Sequence, residues 1–179
     1  MTMTSAKLPA PGAALVLLSG YPGAGKTTFA RALVEATGYV HVESDAIRRS
    51  LFPSPTYAPE ESARVFAVAE SMVEAALAGR SHVVFDATNL VPRDRRRFLG
   101  LAARLGARVV PVRLVAPDAT VRERLSRPRE GFSEATVRVY EGMLGRARGF
   151  ATPAVVVDSR FGFGAALALI RALMEGREC

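Results

Sequence analysis

The chain has 179 residues, 49% hydrophobic and 23% charged, a length and balance that suit one folded unit with a full α/β core. Basic residues outnumber acidic ones 24 to 17, and because Lys7 and Lys26 are the only lysines, arginine supplies the excess. That surplus favours anionic ligands such as nucleotides, phosphorylated metabolites or nucleic acid, while no apolar run approaches the ~20 residues needed to cross a bilayer. The single cysteine, Cys179, leaves no intrachain disulfide and no expected disulfide partner, which fits a cytoplasmic setting. Residues 1–12 hold one basic residue and no apolar core, so they read as a flexible tail rather than a secretory signal; the folded unit is expected over 13–179.

Ala13–Ser19 is a nearly continuous apolar run, as expected of a strand with both faces covered. It feeds Gly20-Tyr-Pro-Gly-Ala-Gly-Lys-Thr27, and Lys26–Thr37 continues with helical periodicity to a stop at Gly38. A strand, a glycine-rich turn and a helix in that order make a P-loop. The turn of Gly20, Tyr21, Pro22, Gly23, Ala24 and Gly25 curls so that backbone N–H groups converge on a β-phosphate. Lys26 then reaches the β/γ oxygens, the Thr27 hydroxyl ligates Mg²⁺, and Thr28 completes the nucleotide site on the helix. A bound nucleoside triphosphate is the expectation.

The second strand, Tyr39–Glu43, runs into Ser44-Asp-Ala-Ile-Arg48. On a helix starting near Asp45, that residue and Arg48 share a face. A carboxylate at this strand end suits a general base for an attacking hydroxyl, and the arginine suits a neighbouring anion; the alternative is that Asp45 or Ser44 caps the helix. Phe52–Pro59, with three prolines, cannot be helix interior and is a candidate lid. Pro59–Ala78 reads as a long helix with Val65, Ala69, Met72 and Ala76 as its apolar face.

The third strand, His82–Asp86, ends on an aspartate placed to support Mg²⁺ with Thr27. Thr88 and Asn89 follow as candidates to hydrogen-bond an acceptor, or as simple turn residues before Pro92. Ser19, Asp45 and Asp86 all fall at strand carboxyl ends, where an open α/β sheet places its ligand crevice. In the helix Pro92–Leu105, the run Arg93-Asp-Arg-Arg-Arg97 reads as a solvated face, because it lacks the interleaved aromatics of nucleic-acid modules. Arg108–Val115 is the fourth strand and Pro117–Leu125 the helix after it. Ser126–Gly131 is the second candidate lid, crowded by Arg122, Arg124, Arg127 and Arg129. Arg124 is assigned to the nucleotide and Arg127 to the phosphates, where charge on the moving group needs stabilisation. A helix over Glu134–Arg146, a strand over Ala154–Asp158 and a helix over Gly164–Glu175 complete an α/β sandwich: helices on both faces of a mostly parallel, five-stranded sheet.

The P-loop, Ser44-Asp-Ala-Ile-Arg48 and Asp86-Ala-Thr-Asn-Leu90 followed by Pro92-Arg-Asp-Arg-Arg96 together resemble the polynucleotide kinase group of P-loop kinases. Single-domain bacterial proteins of the zeta-toxin-like and gluconate-kinase-like neighbourhood are similar too. The resemblance spans Ala13 to about Ala168. It implies the kinase sheet order 2-3-1-4-5, ATP as donor with Mg²⁺, and a lid closing over the phosphates. It also implies Asp45 as general base, Arg48 on the acceptor's phosphate, and Asp86 and Thr88 lining the acceptor side. The expected activity is ATP-dependent phosphorylation of a hydroxyl, with Lys26, Asp45 and Arg127 catalytic. The acceptor is either a polynucleotide 5′ end or a small molecule such as a sugar, metabolite or antibiotic. A nucleotide-driven switch that transfers no phosphate is the reading from another class, and the chain has no guanine-reading Asn-Lys-x-Asp motif to favour it.

Overall fold

The computed structural model describes residues 12–127 and 135–175. The tail over 1–11, Arg129 and most of the second candidate lid, Glu134 and Cys179 lie outside the described residues. The elements in chain order are β1 (Ala14–Ser19), α1 (Lys26–Thr37), β2 (Val40–Glu43), α2 (Ser44–Leu51), α3 (Pro59–Ala78), β3 (Val83–Asp86), α4 (Pro92–Arg104), β4 (Arg108–Val115), α5 (Asp118–Ser126), α6 (Val137–Met143), β5 (Val155–Asp158) and α7 (Gly164–Glu175). The five strands form one sheet in the order β2-β3-β1-β4-β5, and every pairing is parallel.

β1 is the centre of this arrangement, hydrogen-bonded to β3 on one side and β4 on the other, and all six of its residues are buried. Successive side chains of a strand face opposite ways, so β1 feeds two cores. Ala14, Val16 and Leu18 pack with Phe29 and Leu33 of α1 and Ile170 and Met174 of α7. Leu15 and Leu17 pack on the other face with α3 and α4 and with the close pair Phe85–Phe98, whose ring centroids are 4.0 Å apart. This explains why β1 shows no polar alternation: neither face has access to water.

Two helices differ from the periodicity reading. α3 buries Val65, Ala69, Val73 and Leu77, whereas Met72, expected on the core face, is 44% exposed. Apolar residues occupy two neighbouring stripes of this helix, and the stripe bearing Val73 and Leu77 has more area to bury. The helix expected over Glu134–Arg146 is shorter among the described residues, Val137–Met143; the Thr136 side chain caps its start and Gly145, at φ 75°, turns the chain just after its end. α5 and α6 carry a small cluster of their own in which Val121, Leu125 and Tyr140 pack against Tyr21 of the P-loop.

The arginine run on α4 is not uniformly solvated. Arg95 is 3% exposed and donates to the carbonyls of Arg148 and Gly149 at 2.9 and 2.8 Å, with its guanidinium over the Phe150 ring. It shares the inner face of α4 with Phe98, Leu101 and Ala102, so helical phase decides its burial.

Candidate active site

Because the sheet is parallel, every strand ends at the same edge, and the functional side chains gather there. Glu43 and Asp86 are register partners at the ends of β2 and β3, while β1 delivers the P-loop beside them. A cleft of about 1550 Å³ opens along this edge.

The P-loop curls through Gly23 and Gly25, at φ 76° and 92°. A Cβ on Gly25 would stand 2.8 Å from Ser159 Cβ, so the loop also depends on glycine for space against the chain after β5. Lys26 Nζ donates to the Tyr21 carbonyl at 3.0 Å, across the loop it closes. Pro22, Gly23, Gly25 and Lys26 line the cleft, as do Thr27 and Thr28. The Gly20 N–H is taken by the Thr88 carbonyl at 3.0 Å, the Ala24 methyl belongs to the core, and the Tyr21 ring packs edge-on against Tyr140. None of these three residues lines the cleft.

Thr27 Oγ1 donates to Asp86 Oδ2 at 2.7 Å, uniting the two expected metal ligands. His41 and Glu43, neither of them expected from the sequence, stand beside them: His41 Nε2 is 3.6 Å from Asp86 Oδ2, and Glu43 Oε1 is buried without a hydrogen-bond partner among the described residues. Burial, then the neighbouring Asp86 charge, holds the Glu43 carboxyl above its ordinary range. The signal for Glu43 was present in the chain, since it ends β2 as Asp86 ends β3.

Asp45 lies within the first turn of α2; the N-cap position belongs to Glu43, and no side chain caps there. Asp45 and Arg48 both line the cleft, as the P-loop residues do. Arg48 is 6% exposed, donates to Ser62 Oγ at 3.3 Å and stacks over Tyr57. Thr88 also lines the cleft. Asn89, expected beside an acceptor, does not: it is fully buried, donates through Nδ2 to the Leu18 carbonyl at 2.7 Å, and accepts at its own carbonyl from Ser19 Oγ at 3.0 Å. Its φ of 43° is a conformation that asparagine tolerates, and its task is to lock the ends of β1 and β3 together.

Of the two assigned arginines, Arg124 is the one docked on the loop. It donates to the Gly23 carbonyl at 3.2 Å, to Ser159 Oγ at 2.7 Å and to the Ser159 carbonyl at 3.1 Å. Arg127 lines the cleft, but its guanidinium pairs with Glu123 one turn back, and both side chains are exposed. Arg122 is committed elsewhere, to Asp118 and Glu141.

A family model described as AAA domain matches residues 15–150. No curated protein matches the sequence. Among solved structures, the chain is similar to a protein of Chloroflexus aurantiacus J-10-fl ascribed a kinase role, with 17% identity over 94% of this chain and 99% of that one, at a TM-score of 0.74. It is also similar to the APS kinase CysC of Mycobacterium tuberculosis, solved with AMPPNP and APS, with 16% identity, 92% and 99% coverage and a TM-score of 0.70. A chain of the Pnkp1/Rnl/Hen1 RNA repair complex matches at 23% identity over 80% of this chain and 46% of that one, at a TM-score of 0.68. At these identities the likeness is one of fold, and the sheet order and P-loop position are those of P-loop kinases.

Proposed function

This chain belongs to the AAA domain family, and from that premise we propose that it transfers the γ-phosphoryl group of ATP to a hydroxyl acceptor. One observation carries the reading: a single cleft is lined by P-loop residues, Lys26, Thr27 and Asp86 and also by Asp45 and Arg48, with Thr27 hydrogen-bonded to Asp86. A triphosphate site alone would serve a switch equally well; a carboxylate and an arginine in the same cleft are what a phosphoacceptor needs.

Thr27 Oγ1 and Asp86 Oδ2, with the buried Glu43 carboxylate near Asp86, offer oxygen donors that suit Mg²⁺, and the His41 imidazole stands in the same cluster. Thr27 and Asp86 would hold the ion, which supplies neutralising charge to the phosphate oxygens. The protein's own groups do the rest. Asp45 accepts the proton of the acceptor hydroxyl as that oxygen bonds to the γ-phosphorus. The bond to the β–γ bridging oxygen breaks, and its electron pair leaves with ADP. Lys26, released from the Tyr21 carbonyl, stabilises charge on the β/γ oxygens. Arg124 holds the nucleotide end of the site, and Arg127 turns from Glu123 to the phosphates, a small cost since an exposed pair is worth ~0–1 kcal/mol.

For the acceptor we propose a polynucleotide 5′ end first and a small anionic metabolite second. Arginine favours both, since Arg48, Arg93 and Arg146 line the cleft together with Lys26 and Arg124. The cleft, at about 1550 Å³, exceeds the ~300–1,000 Å³ of a single small-molecule pocket and has room for two substrates. The test is to incubate the protein with γ-labelled ATP and a 5′-hydroxyl oligonucleotide, beside a panel of sugars and phosphorylated metabolites. Label in one acceptor class, lost in Asp45→Asn with ATP affinity kept, supports the reading. Tight ATP binding with no transfer to any acceptor refutes it, and loss of ATP affinity in Asp45→Asn reassigns that residue to the metal.

A further inference from the structure

The strap between α2 and α3 is folded by one side chain. Glu61, in the first turn of α3, accepts from the Thr56 N–H at 3.1 and 3.0 Å, from Thr56 Oγ1 at 2.8 Å and from the Tyr57 N–H at 2.9 Å. Tyr57 is thereby held at φ 59°, left-handed backbone that an aromatic residue adopts only with strain. A turn by itself does not require tyrosine here, since glycine or asparagine takes that conformation at lower cost. What the strain delivers is the ring, which lies under the Arg48 guanidinium at 4.6 Å. Glu61 Oε2 also stands 3.6 Å from Arg48 Nη1, and Ser62, the next residue, accepts from Arg48 Nη2. Arg48 is thus gripped on three sides, yet its Nε and Nη1 are buried without a hydrogen-bond partner among the described residues. Buried guanidinium N–H groups left over in this way are costly unless a ligand takes them up.

We propose that Glu61 and Tyr57 are the positioning residues of the acceptor subsite: they hold Arg48 so that its unused N–H groups meet a phosphate-type oxyanion of the acceptor, next to the hydroxyl that Asp45 deprotonates. The inference rests on the phosphotransferase reading above. A guanidinium is planar and presents its N–H groups in one plane, the geometry that bidentate oxyanion binding demands, and the ring beneath Arg48 limits its movement. The strap is then a specificity element rather than a passive connector.

The test is calorimetric titration of inorganic phosphate into protein saturated with Mg²⁺ and AMPPNP, so that the P-loop is already filled. Glu61→Gln, which keeps one carbonyl acceptor for the strap, and Tyr57→Ala each weaken phosphate about tenfold, while Tyr57→Phe stays near wild type and AMPPNP affinity is unchanged in all of them. Tyr57→Gly melts above Tyr57→Ala, because the backbone strain is gone, yet binds phosphate no better. A purely structural role would return stability and affinity together. The proposal is overturned if wild type binds no phosphate, if the variants bind it like wild type, if Tyr57→Gly recovers the affinity, or if AMPPNP affinity falls in parallel. Should phosphate binding behave as expected while no hydroxyl accepts label from ATP, the transferase reading fails and the oxyanion subsite stands.

Discussion

Replacing Arg95 by methionine tests whether one buried arginine fastens the chain that follows α6. The wild-type guanidinium makes two charge-assisted hydrogen bonds, at 2.9 and 2.8 Å to Arg148 and Gly149, and covers Phe150 at 4.4 Å. Hydrogen bonds to charged groups contribute ~1.5–3 kcal/mol each and the ring contact ~1 kcal/mol. Against this stands the desolvation of a guanidinium whose pKa burial pushes below its ordinary value, a cost that methionine escapes. The difference leaves a loss of about 2–4 kcal/mol, or roughly 4–16 °C in Tm for a domain of this size. Arg96→Met, one residue along on the exposed side of α4, should stay within ~0.5 kcal/mol of wild type. Urea unfolding followed by far-ultraviolet circular dichroism measures both, and the chain's lack of tryptophan makes that probe the natural one. Equal stabilities for the two variants would mean that the bonds of Arg95 to the Arg148 and Gly149 carbonyls and its contact with Phe150 do not fasten this segment.

Lys26→Ala should lower turnover by ~10²–10⁴-fold with the fold retained, since Lys26 addresses charge that develops during transfer; near-normal turnover removes it from that role. Gly25→Ala places a methyl 2.8 Å from Ser159 Cβ at a φ of 92°, so nucleotide affinity should fall by an order of magnitude or more, measured by titration of an ATP analogue. For Glu61, the Thr56 hydroxyl above all, then the Thr56 and Tyr57 N–H groups, hold the carboxyl below its ordinary 4.5. Its contribution to stability is therefore complete above that value and lost as pH falls through the lowered one. Glu61→Gln should be less stable than wild type at neutral pH, and the gap should close on acidification; a gap that persists unchanged in acid contradicts the ionised-carboxylate account.

The nucleotide half of this protein was legible in the chain because its information is local. A P-loop needs particular glycines, a lysine and a threonine at fixed spacing, and β1 advertises its burial by having no polar alternation. Asp86 was visible for the same reason, as an acidic residue that ends an apolar strand, and Asp45 as one that stands two residues past the end of β2. What the sequence left open depends on helical phase and on partners remote along the chain. Arg95 and Arg96 are equivalent letters in one basic run until α4 is set against Phe150. Met72 and Val73 were equally good core residues until α3 met the sheet. Asn89 resembled an acceptor contact, and became a lock only when β1 arrived beside it with the Leu18 carbonyl within reach of its side-chain amide. The position of the P-loop was dictated by short-range pattern and the order of the strands was implied by the family resemblance, whereas the grip of Glu61 and Tyr57 on Arg48 exists only in three dimensions. Burial and the geometry of a guanidinium's neighbours are properties of packed surfaces, and a linear pattern carries no distance between them.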